Sequence, residues 1–102
     1  FQPGMILSNE PGYYREGEFG IRLENLIVVM PAPALPGGDD RRQLAFETLT
    51  FVPFDRRLIL ADRLSPGERA WLDAYHAEVL DKLGSRLSAE ALDWCRAACA
   101  PL

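Results

Sequence analysis

Ser65-Pro66-Gly67-Glu68 divides this chain into two kinds of sequence. It has the form of a capping box with proline at the first helical position, the usual opening of an α-helix. Beyond it Trp71, Leu72, Tyr75, Val79, Leu80 and Leu83 recur at spacings of three and four, which predicts a helix that Gly84 ends. Ser88 opens a second helix, with an apolar stripe of Leu92, Cys95 and Cys99 flanked by Ala91, Trp94 and Ala98, and Pro101 stops it. Ahead of Ser65 the apolar residues follow strand rather than helix patterns. The chain is therefore expected to be α+β, antiparallel strands over residues 1–64 and a two-helix region over residues 65–102.

Within the first region, Met5 to Asn9 and the Ile/Val/Leu-rich stretch from Phe19 to Met30 both read as strands. Pro11-Gly12 and Gly17 between them mark a turn, and the simplest arrangement is one antiparallel hairpin. The proline- and glycine-rich stretch 31–42 is a loop. Gln43 to Phe54 carries a broken alternation that predicts a strand with a bend near Thr48, ended by Pro53, and Leu58 to Leu60 predicts a further short strand.

A length of 102 residues, 48% of them hydrophobic, bounds the chain to one modest core. The longest apolar stretch, Leu26 to Pro36, contains Pro31, Pro33 and Pro36, so it is neither a membrane span nor a signal segment. Net charge is -4, and Arg41-Arg42 and Arg56-Arg57 each adjoin acidic residues. No basic face exists to hold a phosphate backbone, so nucleic acid is excluded as a partner. Cys95 and Cys99 lie four apart on one helix face, a geometry unsuited to a disulfide, and read as reduced, packed thiols in a cytoplasmic protein. The opening Phe1-Gln2-Pro3-Gly4 has no initiator methionine and leads directly into a strand, as expected of a piece that begins in mid-fold.

The hairpin brings Glu10, at the end of its first strand, near Glu24 on its second. Opposed residues on antiparallel strands have Cβ atoms about 4.5–5.5 Å apart, close enough for two carboxylates to share a cation. Their mutual repulsion needs compensation. A hard divalent ion such as Mn, Mg or Ca supplies it, and so does Arg22, two residues before Glu24 on the same strand face. Spacing equally accommodates an Arg-Glu ladder on a solvated sheet face.

The stretch GMILSNEPGYYREGEFGIRLENLIVV resembles the last metal-binding hairpin of the pita-bread metallopeptidases, which include aminopeptidase P, prolidase and methionine aminopeptidase. The resemblance implies that Glu10 is a metal ligand and possible proton shuttle, that Glu24 bridges two metal ions, commonly Mn, and that Arg22 orients them. Tyr13 and Tyr14 would border the substrate cleft, although tyrosines capping a turn fit equally. AFETLTFVPFD, ERAWLDAYHAEV and ALDWCRAACAPL are similar to the C-terminal extension of the larger, three-domain aminopeptidase P, so the resemblance covers essentially the whole chain. It implies an Xaa-Pro aminopeptidase, a hydrolase that removes the N-terminal residue from peptides with proline second, and a homodimer formed through the C-terminal region.

The two aspartates and the histidine that complete that family's site have no counterpart in these residues. His76, in a helix, is expected to be a packing or surface residue, and the chain alone is expected to be inactive. Trp71, Tyr75 and Trp94 read as core, with a dimer contact as the alternative. Two other functions remain open: a noncatalytic interaction module on the same fold, and a prolidase-type dipeptidase. Strands cut from a larger sheet expose apolar faces and edges, so self-association of the isolated chain is expected.

Overall fold

The computed structural model describes all residues from Phe1 to Leu102 and forms two compact units, Phe1–Thr50 and Phe51–Leu102. The first contains five strands, β1 (Ile6–Asn9), β2 (Gly12–Arg15), β3 (Phe19–Arg22), β4 (Asn25–Pro31) and β5 (Leu44–Thr48). They form a three-stranded sheet in the order β1-β4-β5 and a two-stranded sheet of β2 and β3, antiparallel throughout.

These two sheets share one long hairpin. Partners Ile6↔Val28 to Asn9↔Asn25 and partners Gly12↔Arg22 to Arg15↔Phe19 have numbers that add to 34 in both ladders. The register is therefore continuous, with Glu10 facing Glu24 and Pro11 facing Leu23 at the interruption. Pro11 has no N–H to give to the ladder, and the contact that remains there is the Leu23 N–H donating to the Pro11 carbonyl at 3.1 Å. The single strand expected from Phe19 to Met30 is accordingly two strands, and the turn expected between Pro11-Gly12 and Gly17 is largely strand β2, because Gly12–Arg15 pairs with Phe19–Arg22. At the tip, Glu16-Gly17-Glu18 connects Arg15 to Phe19, and Gly17 takes the positive φ of 71° that a three-residue hairpin loop needs.

Val29 is the buried apolar residue of this unit, and Asn25 is its buried polar one. Asn25 accepts the Thr50 hydroxyl at 2.8 Å, while the Thr50 oxygen accepts the Leu26 N–H at 3.1 Å, which ties the start of β4 to the end of the unit.

In the second unit, α1 (Pro66–Leu83) and α2 (Ala89–Ala98) begin where the sequence places them. Ser65 and Glu68 form the reciprocal capping box, and Ser88 accepts the Ala91 N–H. Helix α1 ends at Leu83, yet Gly84 keeps a right-handed conformation and starts a 3₁₀ turn, Gly84–Arg86, so no left-handed cap is involved. Tyr75, Val79, Cys95 and Cys99 form the core, with Phe51, Phe54, Leu80, Leu83 and Leu87 packed against it.

The strand expected across Gln43 to Phe54 stops at Thr48, and the one expected at Leu58 to Leu60 is replaced by 3₁₀ turns at Arg56–Leu58 and Ala61–Arg63. Side chains of α1 take over the ladder's role. The Tyr75 hydroxyl accepts from the Val52 N–H at 3.2 Å and donates to the Val52 carbonyl at 3.0 Å, and His76 Nε2 accepts from the Phe54 N–H at 3.0 Å. Backbone groups that find side-chain partners do not need a neighbouring strand. Residues 51–64 thus pack with the helices. Trp71 and Trp94 are exposed at 56% and 65%, so of the three aromatic residues read as core only Tyr75 is buried. No helix is long and apolar enough to cross a membrane.

Candidate functional site

Strand alternation puts Ser8, Glu10, Gly12 and Tyr14 on one face of the hairpin and, across from them, Gly20, Arg22 and Glu24. The contacts agree. Arg22 Nη1 donates to Glu10 Oε2 at 3.1 Å, the diagonal reach expected of a long side chain two positions from the directly opposed residue. From the other side the Ser8 hydroxyl donates to Glu10 Oε1 at 2.6 Å. Glu10 is thus held at both oxygens.

Two glycines make room for this arrangement. A Cβ on Gly12 would lie 2.9 Å from Arg22 Cγ and 2.9 Å from the Tyr14 hydroxyl, and one on Gly20 would lie 2.8 Å from Tyr14 Cδ1. The Tyr14 ring therefore lies across both glycines, and the Arg22 side chain crosses Gly12 on its way to Glu10. Tyr14, then Glu10 and Glu24, hold the Arg22 guanidinium above its ordinary pKa, so it stays a cation beside the two carboxylates.

Tyr13 occupies the opposite face, with its ring centroid 6.1 Å from that of Phe19. The structure thus brings Glu10, Glu24, Arg22 and Tyr14 together and separates Tyr13 from them. His76 lies in the second unit, fully buried, its Nε2 engaged by Phe54. No group of three or more His, Cys, Asp or Glu side chains gathers in a way that could hold a metal ion.

The donor set nonetheless fits a hard divalent cation. A carboxylate offers about four acceptor positions, two per oxygen. Ser8 and Arg22 take one on each Glu10 oxygen, which leaves one on each for an ion, and Glu24 adds its own carboxylate from directly across the hairpin. Sequence reasoning did not single out Ser8, Gly20 or the Asn25–Thr50 pair, and read Gly12 as a turn residue rather than as room for Arg22. Ser8 and the glycines share the parity of Glu10 along the strand, which is the signal that would have found them; Thr50, twenty-five residues from Asn25, carries no such signal.

Two family models match this chain: "C-terminal region of peptidase_M24" over residues 42–102 and "Metallopeptidase family M24" over residues 1–31. Its class is that of the metallopeptidases. The chain belongs to metallopeptidase family M24. It is 51% identical over 80 residues, 78% of its length, to a probable Xaa-Pro aminopeptidase P of Tuber melanosporum, of which it covers 13%. It is 42% identical over 101 residues, 97% of its length, to the probable Xaa-Pro aminopeptidase P of Laccaria bicolor, of which it covers 16%. Its fold matches that of a Caenorhabditis elegans X-prolyl aminopeptidase, described as a cytosolic enzyme with a di-nuclear active site, with a TM-score of 0.88 and 31% identity over 100% of this chain and 17% of that one. The expected α+β order, antiparallel strands of a pita-bread domain followed by two helices, is thus the fold of the chain. It spans roughly a sixth or less of the length of these relatives.

Proposed function

We propose that this chain is the C-terminal part of an Xaa-Pro aminopeptidase that removes the N-terminal residue from peptides with proline in second position. The observation that carries the reading is the hairpin register, which opposes Glu10 and Glu24 while Arg22 bonds Glu10. Glu10 and Glu24 are assigned as ligands of two divalent ions, Mn by preference for oxygen donors, with two aspartates and a histidine supplied from outside these residues. The ions would supply a Lewis acid for the scissile carbonyl and lower the pKa of the attacking water. Arg22 holds one oxygen of the Glu10 carboxylate, and Tyr14 borders the same face. Glu10 accepts the proton that water loses and returns it to the leaving imino nitrogen, so that water is added across the peptide bond and no net proton is gained or lost. Two carboxylates alone are too small a ligand set, so the reading gives no activity to this chain in isolation.

The test is hydrolysis of Xaa-Pro-containing tripeptides by the full-length protein, stripped of metal and reloaded with Mn. Activity should require the ion, and Glu24→Gln should lower kcat by about a hundredfold or more. Activity indifferent to chelator, or to Glu24→Gln, rejects the reading. Cleavage of Xaa-Pro dipeptides alone would point to a prolidase-type enzyme, and no cleavage at all to an interaction module.

The reading extends to setting and assembly. Free, buried Cys95 and Cys99 support a cytoplasmic, reducing location, and exposed Trp71 and Trp94 support a homodimer contact on the helical unit. Light scattering of the full-length protein and of a Trp71→Glu, Trp94→Glu double variant tests the dimer: the first should have twice the mass of the second.

A further inference from the structure

We propose that Ser8 is a positioning residue for the assigned reaction, its hydroxyl fixing the plane in which the Glu10 carboxylate meets a divalent cation. The inference rests on the reading of Glu10 as a metal ligand. It stands on three features of the hairpin.

The first is geometric. Ser8 and Glu10 are two residues apart on the same strand face, so the serine can reach its neighbour without leaving an extended backbone. Its Oγ stands 2.6 Å from Oε1, within the range of charge-assisted O–H···O⁻ bonds, which are about twice as strong as neutral ones. Carboxylate oxygens accept only, so the hydroxyl is the donor. Asn9, between them in sequence, points to the other face and cannot substitute.

Rotational control is the second feature. The last torsion of a glutamate is broad and nearly free, so a single donor leaves the carboxylate able to turn. Arg22 on Oε2 is one such donor; Ser8 on Oε1 is the second, on the other oxygen and from the other strand. Together they define the carboxylate plane and leave one acceptor position per oxygen pointing elsewhere.

Third, the backbone gives little help here. Glu10 lies at the interruption between the two ladders, beside Pro11, which has no N–H. Bonded pairs flank it at Asn9↔Asn25 and Pro11↔Leu23, so Glu10 and Glu24 form a non-hydrogen-bonded pair, in which opposed side chains come closest and only side-chain bonds fix the carboxylate. Groups that orient a ligand in this way are typically worth 10–100-fold in metal affinity or activity.

The experiment uses the full-length protein and three variants, Ser8→Ala, Ser8→Val and Ser8→Thr. Mn(II) affinity is read by competition with a metal buffer, kcat and KM on an Xaa-Pro tripeptide, and melting of the metal-free protein separately. Ser8→Ala and Ser8→Val should bind Mn(II) about tenfold more weakly and lose about tenfold in kcat with KM little changed. Ser8→Thr, which differs from Ser8→Val only by carrying the hydroxyl, should restore both. Metal-free melting should not follow these losses. The proposal is overturned if Ser8→Ala keeps wild-type affinity and kcat, if Ser8→Thr and Ser8→Val behave alike, or if the losses track metal-free stability. A wild-type protein that neither binds Mn(II) nor cleaves the peptide removes the underlying reading instead, and the proposal with it.

Discussion

The two units of this chain invest their residues differently. In Phe1–Thr50 the buried side chains are Asn25 and Val29, while β2 and β3 are exposed at every position. In Phe51–Leu102 six residues are buried, Leu72, Tyr75, His76, Val79, Cys95 and Cys99, and aromatic rings cluster around them. The first unit spends its length on a precise surface: paired glutamates, an arginine, and glycines that clear a path. The second spends it on a core. Ile6 and Tyr14 on one face of the first unit, and Phe19, Ile21 and Phe46 on the other, stand exposed. The paired carboxylates and the buried core are thus separated along the sequence, and substitutions should act on different observables in the two halves.

The largest expected effect is Tyr75→Ala. Tyr75 is buried, packs its ring 5.0 Å from that of Phe54 and 5.8 Å from that of Trp71, and binds both backbone groups of Val52. Its loss should cost about 3–5 kcal/mol, seen as a lower urea midpoint of the 102-residue chain. Phe46→Ala, at an exposed aromatic of the first unit, should change stability by less than about 0.5 kcal/mol. Comparable costs at the two positions would break the contrast.

His76 comes next. Its Nε2 accepts the Phe54 N–H, so Nδ1 carries the proton in the neutral ring, and that nitrogen is buried without a partner. Burial pushes the pKa of His76 below its ordinary 6.5; nearby Arg56 lowers it further and Asp73 works the other way. The unfolded chain therefore takes up the proton first as pH falls through 6.5, and the folded state loses stability from there down to the lower folded pKa. His76→Phe should cost about 1–3 kcal/mol by leaving the Phe54 N–H unpaired, and should flatten this part of the pH dependence. A wild-type stability unchanged between pH 7 and 5 would contradict it.

Much of this could be read in the sequence because the devices were local. Ser65 and Ser88 announce helix starts through bonds to residues three positions on, and Gly17 marks the tip of the hairpin that faces Glu10 to Glu24, although Pro11-Gly12, read as part of that turn, leads into strand β2. The failures share a cause, which is dependence on distant partners. Alternation over residues 49–54 is real, but its backbone groups bond Tyr75 and His76 more than twenty positions away, so no strand forms. Trp71 follows the helical spacing and stacks on Tyr75, yet one turn of helix is enough to leave its other face in water. In the candidate site, the resemblance pointed to Glu10, Arg22 and Glu24, whereas Ser8 and Gly20, which only share their strand parity, were picked out by the contacts they make. The two aspartates and the histidine that the resemblance implies have no counterpart among these residues.

Gly12→Ala should act on the first unit's other observable. The added Cβ meets Arg22 Cγ and the Tyr14 hydroxyl at 2.9 Å each, so the arginine or the ring must move away from its present seat. Activity of the full-length protein should fall about tenfold, the usual size of disturbing a group that orients a ligand, while the urea midpoint of the chain changes little. A stability loss as large as that of His76→Phe would mean that the glycine serves folding rather than the site.

Ser65→Ala is the smallest effect and the sharpest probe of the second unit's independence. The serine oxygen accepts the Glu68 N–H at 3.3 Å, and removing an N-cap of this kind costs about 1 kcal/mol, a few degrees in Tm for a chain of this size. The reciprocal half of the box survives the change, because Glu68 accepts at 2.8 Å from the backbone N–H of residue 65, which alanine retains. That bond, first among the causes, and the lost hydroxyl, second, both lower the Glu68 pKa from 4.5. Glu68 therefore contributes stability above pH 4.5 that disappears as pH falls through its lower folded value, and Ser65→Ala should shrink that contribution without abolishing it. Helix α1 carries Tyr75 and His76, so fraying at its first turn should lower the melting temperature while leaving hydrolysis by the full-length protein unchanged. Loss of activity at neutral pH would show that the helical unit shapes the site after all, and that the division of labour between the two units is incomplete.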